Sequence, residues 1–346
     1  MSMAARPDTT QTTQTTQEAS GETPAQAPPS RVTGGVRVTS TEGRQRRAGK
    51  GLVERSTPYL LILPTLAVTA VLLGYPLVRN LLISFQKLDP FQLIQHTTQW
   101  NGFSNYTYLL TSGDFWHTTL RSVGFTAANV VLIMLGGTLV GLLLNRLGKR
   151  MRLFLSVGLV FAWAMPIVAG TTVYQWLFNT QYGVVNWFLS GLGWHSMAQY
   201  DWFSGQMSTF AVITLMIVWQ SIPFVALNLY AGLTTIATEL FEAARMDGAT
   251  AWRTFQSVTF PILKPFFLST TFLEIIWVFG AFTQIYALNQ GGPQGLTETL
   301  PVYAFIEGAG NQHYGMGAAI SVLTILMLLV MMSYYFRIIL RQEDDL

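Results

Sequence analysis

Residues 238–265 read TELFEAARMDGATAWRTFQSVTFPILKP, a polar and basic segment that lies between two long apolar runs. A short helix is predicted over residues 238–246, because Gly248 supplies the backbone freedom that ends a helix in a turn. A second helix is predicted to run to about Val258 and to stop at Pro261. Two short helices joined rigidly at a glycine form a compact projection that is suited to docking.

The composition is that of a membrane protein. Half of the 346 residues are hydrophobic and only 11% are charged, against the usual quarter in soluble domains. The chain has no cysteine, which excludes disulfides, thiol catalysis and Cys-ligated metals. The pI of about 9.1 does not indicate nucleic-acid binding, because the basic residues are not gathered in one soluble region.

Six apolar stretches are long enough to cross the membrane, which takes roughly 20 helical residues. They cover about residues 58–85, 117–145, 153–178, 208–232, 265–289 and 315–337. The loops at 179–207 and 290–314 contain no Lys or Arg. Basic residues instead precede the first span, fill the loop between the second and third spans, and occur in the polar segment and after the sixth span. The positive-inside rule therefore predicts that both termini and the polar segment are cytoplasmic. Arg79 and Arg121, near outer span ends, are expected to extend to the interface without a functional role.

The predicted organisation is one integral domain with two tails. Residues 1–55 are polar and then basic, and they are expected to form a disordered cytoplasmic tail. Residues 56–340 form the six-span domain, residues 236–263 its cytoplasmic loop, and residues 341–346 a short cytoplasmic tail. We expect the two outer loops, about 86–116 and 183–207, to contain short helices at the outer surface.

An intramembrane enzyme is the alternative from another class. The sequence contains no His-Glu-x-x-His motif, no serine-hydrolase motif and no phosphate-binding glycine loop with Lys and Ser/Thr. The four histidines are spread without metal-ligand spacing. A secondary transporter built from two homologous halves is disfavoured because no internal repeat is evident.

The polar segment also resembles a known signature. The pattern of Glu242, Ala243 and Ala244, then Asp247, Gly248 and Ala249, is similar to the coupling loop of ABC importer permeases. In that family this loop docks into a cleft of the cytoplasmic ATPase. We call residues 236–263 the coupling segment. The resemblance implies an all-α, type I importer transmembrane domain.

The resemblance covers nearly everything after residue 55. Tyr75-Pro76, Ala164-Met165-Pro166 and Gly291-Gly292-Pro293 resemble carbohydrate permeases of the maltose and glycerol-phosphate type. Within such heterodimers the chain resembles the first permease. The implied partners are a second six-span permease, two ATPase subunits, an extracytoplasmic solute-binding protein, membrane lipids and a sugar, without nucleic acid. ATP and Mg²⁺ would be bound by the ATPase subunits and no cofactor by this chain, in the cell membrane of a prokaryote.

The resemblance also implies a substrate path between the two permeases. Aromatic faces stack on pyranose rings, and amides or carboxylates bind the hydroxyls. The predicted path residues are Trp163, Gln220, Ser221, Glu274 and Trp277. Helix packing is the alternative for Trp163 and Gln220, and pairing at the permease interface is the alternative for Glu274. A carboxylate inside a span costs about 3 kcal/mol by insertion scales, so it should serve a specific purpose.

The charge along this path predicts the substrate class. No Lys or Arg lies within the inner two-thirds of the third, fourth or fifth span, where an anionic solute would need a cation. The sequence therefore favours a neutral sugar or oligosaccharide. Glycerol phosphate and a polyamine remain the alternative solutes.

In span two, Gly137 and Gly141 have the spacing of a close-packing motif.

Overall fold

The computed structural model describes residues 61–343. The elements are α1 (Leu61–Ser84), β1 (Gln86–Lys87), α2 (Pro90–Ile94), β2 (Gln99–Trp100), α3 (Ser104–Thr111), α4 (Gly113–Arg146), α5 (Lys149–Trp163), α6 (Ile167–Leu177), α7 (Val184–Gly191), α8 (Gln206–Leu233), α9 (Thr238–Met246), α10 (Ala251–Thr254), α11 (Phe260–Phe279), α12 (Thr283–Asn289), α13 (Leu300–Phe305) and α14 (Tyr314–Glu343). The predicted tail at 1–55 lies outside the described residues, and α14 continues three residues past the predicted domain end at 340.

The long helices confirm the all-α membrane fold. Within the part of the chain that the structure describes, five stretches are long and apolar enough to cross a membrane: α1, α4, α8, the run Ala251–Asn289, and α14. The sixth crossing needs α5 and α6 together, and these two helices meet at 95°. The span predicted at 153–178 is therefore present as this bent pair, with a break that the prediction did not include. Pro166 disfavours helical backbone at the residue before it, so the chain breaks after Trp163 and restarts at Ile167.

Span five differs from the prediction at its inner end. Pro261 was expected to stop the second helix of the coupling segment, but it lies in the first turn of α11. A π-helical turn directly precedes this proline, and it replaces the regular α-helical hydrogen bonding at the point where Pro261 has no N–H to donate. One π-helical turn, Phe255–Thr259, joins α10 to α11. The helix thus begins at Ala251 and connects the coupling segment directly to the span.

The core lies where α4 packs along α8. A Cβ atom added at Gly137 would overlap the Val225 side chain, and one at Gly141 would lie 3.1 Å from the Ala226 carbonyl oxygen. The two glycines therefore allow the helix backbones to approach closely. This confirms the packing role that their spacing predicts.

Substituting Gly137 should destabilise the protein. Gly137→Leu inserts a side chain into filled space, and overpacking of this kind costs about 1–3 kcal/mol. Gly124 lies on the same helix with nothing within 4 Å of an added Cβ, so Gly124→Leu is the matched control. We expect thermal unfolding in detergent to begin at lower temperature for the Gly137 variant alone. Equal unfolding temperatures would contradict the packing assignment.

The outer loops are held by specific hydrogen bonds. β1 pairs antiparallel with β2, and the predicted outer helices are present as α3 and α7. The Arg121 guanidinium donates to the carbonyl oxygens of Gly295 and Glu298 at 2.7 and 3.1 Å. The expectation that Arg121 only reaches the interface is therefore wrong. It fastens the loop between α12 and α13 to α4.

Candidate coupling site and substrate path

The coupling segment turns at Gly248. The N–H of Ala249 donates to the Ala244 carbonyl and the N–H of Gly248 to the Arg245 carbonyl, at 2.9 and 3.0 Å. This pair of bonds is the Schellman motif, and Gly248 adopts the φ of +69° that the motif requires. The Thr250 hydroxyl then accepts from the Arg253 N–H and begins α10. The predicted helix–glycine–helix projection is present.

The predicted ATPase-coupling residues lie together on this projection. Glu242, Ala243 and Asp247 are exposed, while Ala244 and Ala249 are half-buried against the turn. Two large apolar side chains flank them: Met246 is 87% exposed and Trp252 is 66% exposed. Exposed apolar groups beside charged ones are typical of a protein-docking surface.

Three aromatic rings from three different helices meet on one side of the chain. The Phe224 ring of α8 stacks on Trp163 of α5 with centroids 6.3 Å apart, and it meets Trp277 of α11 edge-to-face at 4.9 Å. We call these residues the aromatic trio. Both tryptophans are about half exposed, at 50% and 46%, so their ring faces remain open. The structure thus brings two predicted path residues together through Phe224.

Polar groups line the same region of α8. The Gln284 side chain donates to Gln220 at 3.5 Å, which links α12 to α8. Ser221 is half-buried beside it. Pro223 lies inside α8 and cannot donate to the carbonyl of Trp219, so that carbonyl is freed. Amides, a hydroxyl and a free carbonyl form a hydrogen-bonding surface next to the aromatic trio.

Glu274 is placed differently from the other path residues. Its side chain has no exposed surface, and neither carboxylate oxygen accepts a hydrogen bond from a described residue. The Ser221 hydroxyl lies beside the carboxylate but not in hydrogen-bonding geometry. Both predicted roles, sugar contact and pairing at the permease interface, need the carboxylate to be reached from outside the chain. This conformation encloses it among the helices.

The break between α5 and α6 adds a physical argument for a cavity. Non-helical backbone inside the hydrocarbon region is tolerated only where it is buried in protein or lines a water-filled space. The break at Ala164–Pro166 follows Trp163, which is half exposed. The break beside the half-exposed Trp163 therefore predicts that this side of the chain faces a partner subunit or a water-filled space.

A comparison with known protein families identifies the class of this protein. Residues 134–342 match the family of binding-protein-dependent transport system inner membrane components. The chain belongs to this family. It is an ABC importer permease of the carbohydrate group, a transport subunit and not an enzyme, which confirms the predicted class.

Individual relatives point the same way. The chain is 60% identical over 313 residues to the diacetylchitobiose uptake system permease protein DasB of Streptomyces coelicolor, covering 90% of this chain and 93% of the relative. It is 33% identical to the trehalose/maltose transport system permease protein MalF of Thermococcus litoralis, covering 82% and 94%. A bacterial ABC transporter involved in alginate import shares the fold, with a TM-score of 0.69 at 17% identity over 84% and 97% of the chains.

These findings confirm the permease family and the fold, whereas the role of each site residue stays a prediction. Sequence reasoning missed Phe224 and Gln284. Phe224 follows directly after Pro223, four residues after Gln220, so a helical face drawn through Gln220 would have included it. Gln284 carried no such signal, because its contact with Gln220 depends on how α12 packs against α8.

Proposed function

We propose that this importer permease carries a neutral oligosaccharide, and specifically an N-acetylated disaccharide of the diacetylchitobiose type. The observation that carries the proposal is the open aromatic trio beside the Gln220–Gln284 amides, on spans whose inner two-thirds contain no Lys or Arg. Indole faces suit pyranose rings, and amides suit acetamido groups and hydroxyls. The 60% identity to the DasB permease supports this choice over glycerol phosphate and polyamines.

In the proposed assembly the chain is the first permease of a heterodimer. A second six-span permease closes the open side of the aromatic trio, and two ATPase subunits bind ATP and Mg²⁺. An extracytoplasmic binding protein delivers the sugar. ATP-driven closure of the ATPase subunits moves the coupling segments, and a bistable helix packing converts this movement into alternating access. Glu242, Asp247 and the turn at Gly248 would form this chain's contact with the ATPase.

The test of the substrate is uptake by the reconstituted complex. Diacetylchitobiose should stimulate ATP hydrolysis and accumulate in vesicles, whereas glycerol phosphate and spermidine should not. Trp277→Ala removes one stacking face and should raise the sugar concentration needed for half-maximal uptake by about tenfold. Trp277→Phe keeps an aromatic ring and should have a smaller effect. Uptake of glycerol phosphate instead of the sugar would overturn the proposal.

The proposed orientation has a separate test. A reporter that is active only in the cytoplasm should be active when fused after Ala249 or Leu346. The same reporter should be inactive after Gly193 or Asn311, because the loops that contain these residues carry no Lys or Arg. Activity after Gly193 would show that the chain crosses the membrane differently.

A further inference from the structure

A cavity of about 850 Å³ lies between the coupling segment and the ends of α4 and α8. Part of its lining is apolar and is formed by Leu142, Leu233, Ile236 and Phe241. Leu233 and Ile236 pack with Leu263 in a buried cluster, against which Leu142 and Phe241 also pack. The apolar lining is therefore part of a packed hydrophobic cluster.

Another part of the cavity lining is polar. Arg146, from the end of α4, and Arg245, from α9, both line it, with the hydroxyl-bearing Thr238 and Thr254. Among the described residues neither of the two arginines forms an ion pair or a side-chain hydrogen bond. By contrast, the Arg152 guanidinium donates to the carbonyls of Leu144 and Leu147 at 3.0 and 2.8 Å. The cavity is therefore lined by two arginines whose guanidinium groups have no partner among the described residues.

The charge in the cavity suits a single anion. Glu242 also lines the cavity, so two positive groups and one negative group face the same space. A guanidinium binds phosphate through two parallel hydrogen bonds, which makes arginine the preferred partner of a phosphodiester. A free phosphate would leave the apolar lining unused, whereas a phospholipid has a phosphate next to apolar chains.

We propose that this cavity binds one anionic phospholipid of the inner leaflet. The phosphate lies between Arg146 and Arg245, and the upper acyl segments pack on Leu142 and Phe241. The inference goes beyond the proposed function but uses its orientation, which places the ends of α4 and α8 at the inner membrane surface. Anionic headgroups accumulate there and attract basic side chains. A lipid in this position would link α4 to α9, so the link between ATP hydrolysis and transport would depend on inner-leaflet composition.

The experiment uses the assembled importer in nanodiscs with and without phosphatidylglycerol. Native mass spectrometry counts the lipids that stay bound after transfer to detergent. The test variant is Arg146→Gln/Arg245→Gln. The control is Arg150→Gln/Arg253→Gln, which makes the same charge change at two exposed arginines that do not line the cavity. We expect the test variant to retain phosphatidylglycerol about thirtyfold less than the control.

Three results would overturn the inference: equal retention by the two double variants, equal retention of phosphatidylcholine, or displacement of the lipid by inorganic phosphate. A crosslink from residue 146 to the ATPase in a lipid-free complex would also overturn it, because a protein side chain would then occupy the cavity. Sugar uptake and ATPase co-purification are measured on the same wild-type samples. If sugar uptake and ATPase co-purification were both absent, the proposed function would be refuted. The number of retained lipids would still test whether the cavity binds a phospholipid.

Discussion

Gly248→Pro should abolish sugar uptake while the permease remains in the membrane. Proline fixes φ near −65°, whereas residue 248 needs +69°. Proline also lacks the N–H that donates to the Arg245 carbonyl. Because a Cβ at this position would meet nothing within 4 Å in this chain, an effect inside the permease comes from the backbone and not from a clash. The turn between α9 and α10 would reorganise, and we expect uptake to fall by more than about a hundredfold, the equivalent of nearly 3 kcal/mol.

Gly248→Asn is the matched control, because asparagine tolerates the left-handed conformation better than other residues with a side chain. It should keep most of the uptake, and Gly248→Val should resemble the proline variant. The measurements are uptake and ATP hydrolysis by reconstituted complexes, together with permease abundance in the membrane. Normal uptake by the proline variant would show that the turn is not part of coupling.

Glu274→Leu should also abolish uptake, but it should leave complex assembly intact. The carboxylate is fully buried and has no hydrogen-bond partner among residues 61–343, so an apolar side chain of similar size relieves its desolvation. The complex yield should therefore be unchanged or higher. If Glu274 reaches the sugar when the helices rearrange, uptake should fall by at least about tenfold, because the lost hydrogen bonds involve a charged group.

Glu274→Gln separates the two predicted roles of this residue. A glutamine keeps the shape and much of the hydrogen bonding, so a sugar-contacting role predicts a mild effect. A role in an interface ion pair predicts instead that both variants fail to assemble, because removing one partner of a buried pair costs about 3–5 kcal/mol. Complex yield is measured beside uptake for both variants. Loss of assembly in the glutamine variant would remove Glu274 from the substrate path.

Much of the fold was predictable from local chemistry. Long apolar runs must form helices in lipid, because a single segment can satisfy all of its own backbone hydrogen bonds there only as a helix. Gly248 predicted the turn in the coupling segment, because few residues other than glycine readily adopt the left-handed conformation with positive φ. The Gly137 and Gly141 spacing marked a close helix contact, which α8 provides. These predictions need only the residue and its neighbours in the chain.

Other features were predicted wrongly or missed, because they depend on more than a residue and its neighbours in the chain. Pro261 was expected to end a helix, but a π-helical turn before it lets the helical run Ala251–Asn289 continue. Arg121 was expected at the interface, but a loop 174 residues later in the chain supplies its acceptors. Pro166 permits the break between α5 and α6, but the proline alone does not determine the 95° angle at which the two helices meet.

The sequence by itself therefore determined the class of the protein, its spans and its coupling turn, because these follow from hydropathy, charge and backbone preference over short distances. Only the tertiary structure decided which path residues meet. It joins Trp163 and Trp277 through Phe224, and it encloses Glu274 among the helices. The physical reason is that contacts between helices depend on their rotation and crossing, which arise from the packing of the whole domain and not from any one segment.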